Sequence, residues 1–304
     1  MHHVVRAADI RLVPASTASS RGYRRCDLVD RSCGSVHMEL ALCELDADGR
    51  VDAHVHSFEE SFYVLGGSLT LVRDGTAVVL EEGSYGVVPV GLTHALAAGE
   101  GSAWIEMRAP QPRVGAAHCD TFFVGGLDGA EPLPLDLRDP RVRNLSQLVD
   151  GQMELESLRV GARIDSPSEP TSMDTAVLAY SGITVKMLVD RRLGAQLQTM
   201  FMVEYLTGAV AHPHDHPLEE AYHLLEGELE AVADGERFVL SAGDTFWTGV
   251  GCTHSFRNTS GRRVRFVETQ APQPPSAHAY RFDRDWDYLE TQLEPRAAEP
   301  ALPG

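Results

Sequence analysis

Lysine is almost missing from this chain: Lys186 is the only one among 26 basic residues. A Schiff-base or lysine-nucleophile mechanism therefore has one candidate, and nothing around it signals activation. Positive charge is scarce overall, because 44 acidic residues leave a formal net charge of −18. A nucleic-acid surface needs a basic footprint to displace counterions from phosphate, so nucleic acid is not an expected partner, and neither is an anionic membrane. The five cysteines (Cys26, Cys33, Cys43, Cys119, Cys252) are odd in number and form no C-x-x-C pair. Reduced thiols fit that pattern better than a disulfide framework. The first residues, MHHVVRAADIRLVPASTASS, lack the apolar run of a secretory signal, and no apolar stretch is long enough to span a bilayer. The expectation is a cytoplasmic protein.

What the chain does contain is itself, twice. At 304 residues it suits two domains, and HVHSFEESFYVLGGSLTLVRDG from residue 54 is answered by HDHPLEEAYHLLEGELEAVADG from residue 214. His54, His56, Glu60, Gly67, Asp74, Gly75, Gly83, Gly91 and His94 recur 160 residues later as His214, His216, Glu220, Gly227, Asp234, Gly235, Gly243, Gly251 and His254. IEMRAPQP at 105–112 is matched by VETQAPQP at 267–274 after a slip of two residues. In both copies Asp-Gly stands between strand-like runs, as a type I′ hairpin turn requires. Short strands between glycine turns predict an all-β protein of two small barrels. We divide the chain into an N-terminal barrel (1–112), a linker (113–180), a C-terminal barrel (181–275) led by VKMLVDRRLGAQLQTMFMVEYL, and an extension (276–304) whose DRDWDYLETQLE predicts a short helix.

Side chains two apart on a strand share a face, so His214 and His216 converge while Asp215 points away. Glu219 and Glu220 compete as a third ligand; only Glu220 keeps the seven-residue distance to a glycine that Glu60 keeps in the first copy. His254 follows a glycine-rich turn that returns the chain to the same interior. The predicted ligands are therefore His54, His56, Glu60 and His94 in one half and His214, His216, Glu220 and His254 in the other.

The second copy reads G-x5-H-x-H-x3-E-x6-G from Gly208 and G-x5-G-x-G-x2-H-x3-N from Gly243. These resemble the two motifs of the cupin superfamily, with Gly249 in place of the usual proline. The first copy resembles them too, with Pro89 present, Ala98 in place of the final Asn, and Gly49 one residue close to His54. The resemblance implies a bicupin of two double-stranded β-helix barrels, each competent for a divalent transition metal: Mn, Fe, Ni, Co or Cu, one or two per chain. It also implies a homo-oligomer acting on a small-molecule substrate, with quercetinase-like dioxygenases as the nearest analogy. Ureidoglycine aminohydrolase-type bicupins are similar in arrangement, but they carry Glu, His, His and Gln at the ligand positions. Cupin isomerases, decarboxylases and non-catalytic binding members share the fold.

Glu220 is expected to double as a general base, with Tyr222 as a substrate contact at the position that Phe62 holds in the first copy. Met200, Met202 and Trp247 are expected to wall the pocket. His212 shares the parity of His214, and its reading is open between a role near the site and an exposed strand edge. His223, Arg263 and Arg265 are expected to face outward, and Cys252 to pack as a small hydrophobe.

Overall fold

The computed structural model describes residues 1–15, 18–113, 120–126, 131–153 and 182–274, and the backbone of 281–282. Among them the only helical segments are short 3-10 turns, and none is long and apolar enough to cross a membrane. Each half is an antiparallel barrel. The first is built on Glu39–His56, Glu59–Arg73, Thr76–Glu81, Ser84–Val88, His94–Ala97 and Ser102–Ala109. The second repeats this with Thr199–Tyr205, Val210–Asp215, Glu219–Glu226, Glu228–Ala233, Glu236–Ser241, Thr245–Thr248, His254–Arg257 and Val264–Ala271. The Asp-Gly turns have the required positive φ at both central residues, 49° and 71° at Asp74-Gly75 and 47° and 84° at Asp234-Gly235.

Alternation sorts the side chains into three layers. Cys43, Phe62, Val64, Leu71 and Trp104 fill the first barrel, and Phe201, Val203, Tyr222, Phe246 and Phe266 fill the second. The opposite faces of the same strands are also apolar and bury each other. Leu40, Ile105 and Met107 meet Ala221 and Trp247, while Tyr63, Tyr85 and Val87 meet Met200, Met202 and Val267. Met200, Met202 and Trp247 thus line the contact between barrels and not the pocket. Their parity is opposite to that of Phe201 and Phe246, and the facing barrel supplies the apolar partner that an outward apolar side chain needs.

Paired buried carboxylates lock this contact. Glu219 accepts the Ser35 hydroxyl (2.6 Å) and the backbone N–H groups of Val36 (2.8 Å) and His37 (3.2 Å). Glu59 accepts the N–H groups of Gln196 (2.7 Å) and Leu197 (3.2 Å), the positions 160 residues after Val36 and His37. Both glutamates are 2% exposed.

Three sequence expectations change at the edges. His2–Val5 adds to Thr245–Thr248 of the second barrel, so the 1–112 boundary does not hold for the first strand. Parts of the linker are strands of the first barrel: Thr121–Gly125 pairs beside His54, and Leu145–Gln147 pairs with Ser84–Val88. His223 points away from its barrel yet is buried, with Nδ1 2.9 Å from the Thr245 hydroxyl. The predicted helix in DRDWDYLETQLE lies outside the described residues.

Removing the Glu219 carboxylate strands buried donors, at a cost of about 3 kcal/mol. Glu219→Ala should lower the melting temperature by roughly 6–12 °C, with Glu219→Gln well short of that; a shift within 2 °C for the alanine variant, on the order of scatter, would refute the lock. Burial also lowers His223 to about 4. Below the ordinary histidine range the unfolded chain takes up a proton that the folded one refuses, so stability falls from about pH 6.5 toward 4. A thermal-melt series across that window should show the slope, and His223→Gln should make it shallower by the share of one histidine.

Candidate metal centres

The ligand positions arrive from three strand ends in each barrel. His54 and His56 close the strand Glu39–His56, Glu60 is the second residue of Glu59–Arg73, and His94 opens His94–Ala97. His54 and His94 are cross-strand neighbours, as are His214 and His254. A glycine turn completes each set: the Gly91 N–H bonds the His56 carbonyl and the Gly251 N–H bonds that of His216, both at 3.0 Å and with positive φ.

All six imidazoles are held in one way. Nδ1 faces a backbone carbonyl in every case: His54 to Asp52 (2.9 Å), His56 to Phe58 (2.6 Å), His94 to Leu92 (3.2 Å), His214 to His212 (2.7 Å), His216 to Leu218 (2.8 Å) and His254 to Cys252 (2.9 Å). A carbonyl cannot donate, so Nδ1 carries the proton and the Nε2 lone pair is left for another partner. Donor atoms of His56, Glu60 and His94 lie within 4.8 Å of one another, as do those of His216, Glu220 and His254. His54 and His214 stand beside these triads, with ring centroids 4.1 Å from His94 and 4.4 Å from His254. In the first barrel the Nε2 atoms of His56 and His94 are buried without a hydrogen-bond partner. Orphaned buried lone pairs facing a carboxylate fit a divalent cation.

The surroundings of the two centres differ. In the first, Glu60 lies 3.7 Å from His56 and 3.9 Å from His94, with Arg108 Nε also 3.9 Å away. Arg108 and Glu106 point into the barrel and pair at 2.7 Å, and Arg25 joins Glu106. Burial, then the charge of Glu106, raises Glu60 to about 8, and burial lowers His56 to about 4. In the second, His216 approaches Glu220 to 2.8 Å. Against the cost of burial, that ion pair raises His216 and holds Glu220 well below the carboxylate range. The Tyr222 hydroxyl bridges Glu220 and His254 Nε2 (2.9 Å from the latter), and Gln270 donates to Glu220 (2.6 Å) and to Glu268 (3.1 Å). Burial and then the Glu220 charge push Glu268 far above the usual range.

Tyr222 therefore sits at the second centre, and Phe62, its counterpart, gives the first no hydroxyl. Glu220 faces the centre; Glu219, its competitor, does not. His212 is exposed, because a register irregularity between Ala211 and His214 breaks the parity that linked it to His214. Arg263 and Arg265 point away from the barrel interior toward Glu204, Glu226 and Asp150. Sequence reasoning missed Arg108, Glu106, Gln270 and Glu268, although the matched segments IEMRAPQP and VETQAPQP carry them at one parity. It also missed Phe123, whose ring lies 5.5 Å from His54.

Two β-barrels that each bury three imidazoles and a carboxylate define a two-centre metalloprotein architecture. Residues 41–104 and 201–269 both match the Cupin domain family, and the chain is a bicupin, two cupin domains in tandem. Its fold is similar to salicylate 1,2-dioxygenase of Pseudoaminobacter salicylatoxidans, at 14% identity and a TM-score of 0.67, covering 89% of this chain and 81% of that one. It is similar also to oxalate decarboxylase of Lactobacillus farciminis, at 13% identity and a TM-score of 0.61 over 98% and 94%. In sequence it is 25% identical over 112 residues to the HTH-type transcriptional regulator PuuR of Escherichia coli, 36% of this chain. The chain spans 60% of that curated relative's length.

Loss of one imidazole per centre should act locally. After loading with manganese, His56→Ala and His216→Ala should each lose about one equivalent by elemental analysis, with the other centre filled. Unchanged content in both variants would contradict the ligand assignment.

Proposed function

We propose that this bicupin is a metal-dependent enzyme, a non-haem oxygenase acting on a small oxygen-rich or aromatic metabolite. The observation that carries this reading is the pair of buried centres in which two imidazoles and one glutamate bring donor atoms within 4.8 Å of one another, with a third imidazole beside them and all six rings fixed at Nδ1. Three imidazoles and a carboxylate would hold a divalent ion and leave it able to take substrate oxygens; Mn, Fe, Ni, Co and Cu all suit the set, one or two per chain. When bound, such an ion would supply Lewis-acid and redox chemistry. The fold's likeness to salicylate 1,2-dioxygenase supports the class by analogy.

The chain's own groups handle charge and protons. At the first centre Arg108 faces Glu60 and stands over the Phe58 ring at 5.1 Å, placed to compensate an anionic oxygen on the substrate. Phe123, exposed beside His54, offers a ring face to an aromatic substrate. At the second, Tyr222 holds a proton between Glu220 and His254, and Glu268 keeps another one amide away through Gln270. In this reading the protein works in the cytoplasm as a homo-oligomer on a small molecule, without nucleic acid or membrane.

A second reading, decarboxylation or isomerisation, draws on the same Glu268: a buried carboxyl kept protonated beside the centre is a proton source for a carbanionic product. The likeness to oxalate decarboxylase points the same way.

Oxygen uptake by the iron- or manganese-loaded protein, followed with hydroxylated aromatic acids and small keto acids, tests both. The oxygenase reading expects turnover that stops under argon and falls about 100-fold or more in Glu60→Gln, Glu220→Gln or the double variant. Turnover that continues unchanged under argon overturns it, and carbon dioxide release there favours the second reading. Tyr222→Phe should keep the metal content while shifting the pH profile of kcat.

A further inference from the structure

A third set of ligand-type side chains lies outside both centres, where the chain's first strand docks on the second barrel. His2, Asp234 and Cys252 come from three separate elements, and one donor atom of each lies within 4.8 Å of the others. We infer that His2, Asp234 and Cys252 form a site for a divalent cation of zinc type, which staples the strand His2–Val5 to the second barrel.

The backbone places each donor independently. His2 is held opposite Thr248 by the ladder between His2–Val5 and Thr245–Thr248, and its ring rests against Phe238 at 5.2 Å. Downstream, Arg6 and the Ala7 N–H both bond the Asp244 carboxylate, at 2.7 and 2.8 Å, and keep the strand in register. Asp234 occupies a hairpin turn whose N–H is tied to the Thr253 carbonyl at 2.9 Å. Cys252 is buried in the loop that leads to His254, with its N–H on the Gly249 carbonyl.

The donor chemistry favours a borderline ion over a hard one. A thiolate, an imidazole and a carboxylate are a zinc-type set, whereas magnesium and calcium take oxygen ligands alone. Asp234 Oδ2 lies 3.5 Å from His2 Nδ1, close to the donor separation around a tetrahedral ion, and it also accepts the Met1 amino group at 2.6 Å. A cation here replaces an ammonium as the carboxylate's partner and so needs no unpaired acid. Glu236, 3.6 Å from His2 Nε2, adds further negative charge beside the site. The first barrel has no equivalent, since Leu92 stands where Cys252 does. Cys252 faces both ways: its carbonyl holds the His254 ring, so a cation on its thiol would stiffen the loop that orients a ligand of the second centre.

Cobalt(II) titration of the full-length reduced protein tests the site, because thiolate coordination adds an intense near-ultraviolet charge-transfer band that imidazole and carboxylate ligands do not. The site predicts a third equivalent of cobalt carrying this band. Cys252→Ser should abolish the band, and Asp234→Asn or His2→Ala should weaken the third equivalent at least tenfold, with the other two equivalents retained as evidence of folding. Absence of the band from the unsubstituted protein would mean an ion pair with the amino group only and overturns the inference. So does a band that survives Cys252→Ser, or one indifferent to both Asp234→Asn and His2→Ala.

Discussion

Two adjacent glutamates on one strand of each barrel govern this structure. A strand's alternation sends Glu60 inward and Glu59 outward, and does the same with Glu220 and Glu219. The inward carboxylate completes a set of imidazoles, and the outward one receives backbone N–H groups from the opposite barrel. Centre and interface are thus one peptide bond apart. Neither position tolerates an apolar replacement without leaving buried donors or lone pairs unanswered.

The duplicated frame preserves ligands while changing what surrounds them. The Nδ1-to-carbonyl bond recurs at all six imidazoles because it needs only backbone, which both copies share. Side chains over the glutamate are free to diverge: Arg108 against Gln270, and Phe62 against Tyr222. The resulting electrostatics are opposite. A loose Glu60, raised by burial and by Glu106, faces neutral imidazoles, whereas Glu220 is an anion gripped by His216 and Gln270. Arginine stands near one centre, and a tyrosine and a raised glutamate near the other, so the two barrels surround their ligands with different chemistry.

Much of this was legible in the amino-acid order, for a physical reason. Ligands on strands obey period two, and a repeat at constant offset separates Glu220 from Glu219 without coordinates. The Asp-Gly turns were equally readable, because few residue pairs accept positive φ twice. Parity reports which face a side chain takes, however, and not what covers that face. Met200, Met202 and Trp247 were expected in a pocket and are buried between barrels, and His223 faces away from its barrel as expected but is covered there, with Thr245 as its partner. His212 takes the exposed strand edge, one of its two readings, where an irregular register cancels the parity it shares with His214. The crossover of His2–Val5 to the second barrel leaves no local signal at all, since its partner strand begins 243 residues later.

The account stands on each half closing around one cation through three imidazoles and a glutamate. Anomalous diffraction at the manganese edge from crystals grown with that ion tests this most directly. It should give a peak in each barrel about 2.1 Å from three Nε2 atoms and from an oxygen of Glu60 or Glu220. Maps without density between the imidazoles of either barrel, or with both glutamates turned away from it, would contradict the account.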